Sequence, residues 1–75
     1  MKRKNRMVPG IEQCLTILLE RLDAAGDERK TLKRSLRDGA QQRAIEVALD
    51  IEPLLREANQ ALQAASLLWR EDRQR

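Results

Sequence analysis

The spacing of apolar residues constrains this chain more than any other feature. From Ile11 they recur at intervals of four and three: Ile11, Leu15, Leu18, Leu22, Ala25, Leu32 and Leu36, with Arg29 the one charged member of the series. Beyond a short gap, Ala44, Ala48, Ile51, Leu55, Ala58, Leu62, Ala65 and Trp69 repeat the pattern. Alternating steps of four and three keep side chains on one stripe of a helix, the seam of a heptad repeat. A half-buried strand needs strict alternation, and none persists here. Between the two runs lies Asp38-Gly39, the strongest turn signal in mid-chain. The phase of the repeat survives Gly26, a weak point costing about 1 kcal/mol relative to Ala. It also survives Pro53, which reads as a kink because its ring removes one ladder hydrogen bond.

The fold class expected is all-α: an antiparallel, coiled-coil-like two-helix hairpin over residues 11–72, with helices at about 11–37 and 42–71. Residues 1–10 read as a basic flexible tail and 73–75 as the C-terminal end. Folding at Gly39-Ala40 pairs Leu36 with Ala44, Leu32 with Ala48, Leu22 with Ala58, Leu15 with Ala65 and Ile11 with Trp69. In most layers a Leu faces an Ala, the alternation by which facing layers interlock without voids. A short turn permits only antiparallel neighbours.

This seam does not use up the apolar residues. Val47, Leu54, Ala61 and Leu68 form a second column beside it, and the register brings Cys14 next to Leu68. Ile17 and Leu19 widen the apolar arc of the first helix. A helix with three apolar columns expects neighbours on more than one side. An isolated hairpin barely offsets an ordering entropy of about 1.5 kcal/mol per residue. The hairpin is therefore expected to be completed by a partner or by dimerisation. Cys14, Val47, Leu54, Ala61 and Leu68 are the expected partner-binding residues.

Charge sharpens the picture. The chain has 15 basic and 12 acidic residues, a formal net charge of +3. Lys2, Arg3, Lys4 and Arg6 supply that excess, so the body is close to neutral. Arg29, Lys30, Lys33, Arg34 and Arg37 fall within about 140° of one helix face at 100° per residue. They stand near a helix C-terminus, where the macrodipole favours cations. This arc is a candidate electrostatic contact, for RNA backbone or an acidic partner. Ordinary solvation with dipole complementarity accounts for it as well. No aromatic residue is interleaved for base stacking, which argues against nucleic acid.

Other classes are excluded by what the chain lacks. With no His there is no imidazole base and no His-ligated metal. One cysteine allows neither an internal disulfide nor a Cys-cluster zinc site. No Gly-rich phosphate loop occurs. No catalytic residue, metal ligand or cofactor is expected, and enzyme is the least favoured class. No apolar run approaches the roughly 18 residues of a membrane span, and Glu12 interrupts any export-signal core after the basic start. These features point to the cytoplasm.

The turn Leu36-Arg37-Asp38-Gly39-Ala40 and the closing helix, from Leu55-Arg56-Glu57-Ala58-Asn59-Gln60-Ala61-Leu62 to Leu67-Leu68-Trp69, carry a resemblance. Over residues 11–70 the size, polarity pattern and turn position resemble the small co-chaperones of type III secretion needle subunits. The resemblance implies a cytoplasmic helical hairpin that docks its apolar flank on a larger, tetratricopeptide-type helical chaperone. Together the two would keep a secretion-apparatus subunit soluble. The alternative is a homodimeric four-helix-bundle regulator, a second copy completing the fold, that binds RNA or a transcription factor.

Overall fold

A computed structural model describes residues 8–74. It contains two helices, α1 (Ile11–Arg37) and α2 (Gln41–Arg73), packed antiparallel. The all-α hairpin is therefore as the spacing implies. Its ends fall within two residues of the expected bounds. Residues 1–7 of the expected basic tail lie outside the described region. Val8, Pro9 and Gly10 lead directly into α1 through a turn, with Ile11 N donating to Val8 O at 3.1 Å.

The connection is a Schellman closure. Gly39 adopts the left-handed conformation (φ 68°), and its N–H donates to Leu36 O at 3.2 Å. Ala40 N–H donates to Ser35 O at 2.9 Å. These two bonds satisfy carbonyls that the end of α1 would otherwise orphan, and the left-handed residue between them is normally Gly. Three residues then suffice to reverse the chain. The helix α2 runs unbroken through Pro53, so any distortion there stays within helical geometry.

The face that each helix turns inward differs from the expected one. The columns Ile11, Leu18, Ala25, Leu32 and Ala44, Ile51, Ala58, Ala65 do face the partner helix, all buried or half-buried. They are completed from the other side of each helix. In α2 the second column is Val47, Leu54, Ala61 and Leu68, with Val47 0% exposed. In α1 it is Cys14, Arg21, Glu28 and Ser35. Both helices are thus rotated by about half a residue step, some 50°, from the expected orientation. Leu22, Leu36, Leu55, Leu62 and Trp69, expected in the seam, stand exposed. Arg29, the one charged member of the expected seam, also lies on the exposed surface.

The physical reason lies in side-chain size. The observed seam mixes the aliphatics Ile11, Leu18, Leu32, Val47, Ile51, Leu54 and Leu68 with small groups: Cys14, Ala25, Ser35, Ala44, Ala58, Ala61 and Ala65. Small side chains let two helices approach towards the short end of the usual 8–10 Å axial separation. The polar members satisfy themselves locally. Ser35 Oγ donates to Thr31 O at 2.9 Å. The Arg21 stem stays in the seam while its Nε reaches out to Glu57 Oε1 at 2.6 Å. No buried side-chain polar atom is left without a partner among the described residues.

Candidate functional site

The hairpin measures 54 × 25 × 13 Å, two helix diameters wide and one deep. Each helix therefore has one neighbour and one open side. Domains usually bury apolar faces between at least two layers.

On one side of this single layer most of the exposed large apolar residues gather, with Ile17, Leu49 and Leu67 elsewhere. Leu15, Leu22 and Leu36 stand along α1, Ala48, Leu55, Leu62 and Trp69 along α2, each column next to the seam on the same side. The Arg21–Glu57 pair fixes the relative height of the helices. The approach of Leu68 Cδ1 to Gly10, 3.0 Å from where a Cβ would stand, gives the same register. At that register the members of the two columns stand in nearly level pairs, about one residue apart in height. From the open end towards the turn the order is Trp69, Leu15, Leu62, Leu22, Leu55, Arg29, Ala48 and Leu36.

Leu22, Leu36, Leu55, Leu62 and Trp69 are between 45% and 66% exposed. Leu19 and Ile45, exposed as well, border the stripe on its outer edge. Half-exposed side chains of this size leave on the order of 600 Å² of apolar surface in water. That matches the largest patch an ordinary monomer shows, and such patches mark interaction sites. Beyond the open end of the stripe, the Arg73 guanidinium lies over the Trp69 ring, 4.6 Å from its centroid, leaving one ring face covered by a cation.

The expected partner-binding column is corrected by this arrangement. Val47, Leu54, Ala61 and Leu68 lie inside the hairpin, with Cys14 half-buried at the same seam. They hold α1 to α2 and offer no continuous free surface. Both columns flank the same inner column of α2, and periodicity alone cannot rank them. The deciding signal is in α1, where small or polar Cys14, Arg21, Glu28 and Ser35 oppose Leu15, Leu22, Arg29 and Leu36. The rule that leucines go inside selects the second set, but the structure buries the first.

The basic arc is placed as expected. Arg29, Lys30, Lys33, Arg34 and Arg37 are all exposed. Among the described residues none of them lies within ion-pairing distance of a carboxylate. On α2, Glu52 accepts a hydrogen bond from Arg56 Nη2 at 2.5 Å. This bond, with the charge of the carboxylate, raises the Arg56 pKa.

The chemistry available here is association. Among the described residues no cluster of acidic or thiol groups could hold a metal ion, and no helix is long and apolar enough to cross a membrane. The grooves along the hairpin are open and shallow. Comparisons with family models, characterised proteins and solved structures found no match to this chain.

Proposed function

We propose that the chain is a protein-binding helper, a preformed helical hairpin that presents its leucine stripe to another helical protein. One observation carries the reading. The hairpin closes its own seam with Cys14, Ala25, Ser35, Ala44, Ala58, Ala61 and Ala65 beside aliphatics such as Leu18, Val47 and Leu54, and still leaves Leu22, Leu36, Leu55, Leu62 and Trp69 outside. Burying a Leu is worth about 1.5–3 kcal/mol, so a chain selected only to fold alone gains by the opposite choice. Surface that is costly in isolation becomes useful when a partner covers it.

The co-chaperone role is the specific form of this proposal. A hairpin one layer deep, with a stripe along its full length, suits a concave helical-repeat chaperone that presents a long groove. The hairpin would supply missing apolar contacts, and the pair would shield a secretion-apparatus subunit in the cytoplasm. The test is co-expression with the products of neighbouring reading frames. Co-purification with a tetratricopeptide-type chaperone at fixed stoichiometry, lost on Leu62→Asp and kept on Ile17→Asp, supports the role. If neighbouring frames encode such a chaperone and it purifies without the hairpin, the role is wrong.

A further inference from the structure

We infer that, without another partner, the stripe closes on a second copy of this chain, forming a two-fold four-helix bundle with both turns at the same end. This rests on the reading of the stripe as the working surface and names one occupant for it. Area and charge carry the inference.

A specific dimer hides about 800 Å² per partner. The stripe, its edge residues Leu19 and Ile45, and the polar rim beyond them are of that size. Two hairpins can lie face to face in two ways. With the turns at the same end, each α1 lies antiparallel to the partner's α2, at the height it has in its own hairpin. Leu15 then meets the partner's Leu62, and Leu22 meets the partner's Leu55. Arg29, the one charge in the stripe, comes within about 5 Å in height of the partner's Glu52, at 1.5 Å per residue.

With the turns at opposite ends, each α1 meets α1 of the other copy. With the two α1 helices fully overlapped, Arg29 is then set against the partner's Leu15 or Leu22. Only the first arrangement matches leucine to leucine and charge to charge.

The experiment is sedimentation equilibrium of the full chain from about 1 to 200 µM, for wild type, Arg29→Glu and Glu52→Arg. These two positions are exposed, so the hairpin folds in each variant, checked by circular dichroism. Wild type is expected to dimerise in the micromolar range. Each variant alone carries two like-charge contacts per dimer and should dimerise roughly tenfold more weakly, given the usual worth of exposed pairs. In an equimolar mixture of the two, the mixed dimer has opposite charges at both contacts. One contact is the native Arg29 with Glu52, and the other is the same pair with its signs exchanged. The mixture should therefore recover wild-type affinity.

A wild-type chain that stays monomeric at 200 µM overturns the inference, as do assemblies larger than a dimer. A dimer whose mixed variants associate no better than each alone overturns the arrangement. None of these outcomes touches the helper role, which is decided by co-purification and by Leu62→Asp.

Discussion

Truncating Val47 and Leu55 in parallel separates the seam from the stripe. Val47 is completely buried between the helices and Leu55 is 51% exposed on the open side. Val47→Ala removes two methyl groups, worth about 0.8 kcal/mol each in transfer. It also leaves a void of about 50 Å³, adding about 1 kcal/mol if the walls do not relax. Higher helix propensity of Ala returns about 0.6 kcal/mol. The net cost is about 2 kcal/mol, which lowers the melting midpoint of a domain this size by about 10 °C. Leu55→Ala uncovers little that the hairpin itself buries and should cost under about 1 kcal/mol, part of it recovered in propensity. The assay is a circular-dichroism melt at about 1 µM chain, dilute enough to keep self-association out of the reading. If Leu55→Ala is the more damaging variant, the two seams have been assigned the wrong way round.

Glycine positions give sharper tests of the backbone. A Cβ at Gly26 meets nothing within 4 Å and the residue sits inside α1, so Gly26→Ala should raise stability by about 0.5–1 kcal/mol in a urea titration. Gly10 has φ 89° and its missing Cβ would stand 3.0 Å from Leu68 Cδ1, so Gly10→Ala should destabilise by about 1–2 kcal/mol; an unchanged midpoint would show that the entry turn contributes nothing. Trp69 is the chain's only aromatic residue and sits at the open end of the stripe. Its emission should shift to shorter wavelength as concentration rises through dimerisation, and remain red-shifted in Leu62→Asp.

Much of the architecture is legible in the residues. Steps of four and three on either side of Asp38-Gly39 suffice to place two helices, their bounds and their antiparallel sense. Orientation about the helix axes is not legible in the same way. In α2 the inner column Ala44, Ile51, Ala58 and Ala65 has apolar neighbours on both sides, Val47–Leu68 and Ala48–Trp69. A heptad pattern fixes period, and a helix with two candidate seams satisfies it at either rotation. What decides is the fit of the whole interface. Arg21 and Glu28 look disqualifying as seam residues when read as charges. Arg21 enters the seam because its stem can lie along apolar surface while its head reaches Glu57 outside.

The same ambiguity links fold to function. A helix with apolar columns on both sides of its inner column can serve two neighbours at once, as bundle helices do. In α1 the two flanking columns are divided by size and polarity. Cys14, Arg21, Glu28 and Ser35 face the covalently linked helix, which the three-residue turn brings close at almost no entropic cost. Leu15, Leu22 and Leu36 face outward, where association must overcome lost translational freedom and needs more apolar area for each contact. A hairpin closed by its own turn can tolerate a thin seam, whereas a contact between separate chains cannot. The placement of Leu15, Leu22, Leu55, Leu62 and Trp69 on the open side follows that requirement. The free energy missing from the isolated hairpin is then the energy gained on assembly. Its melting midpoint should therefore climb with chain concentration, or with added partner, as it does wherever only the folded form binds.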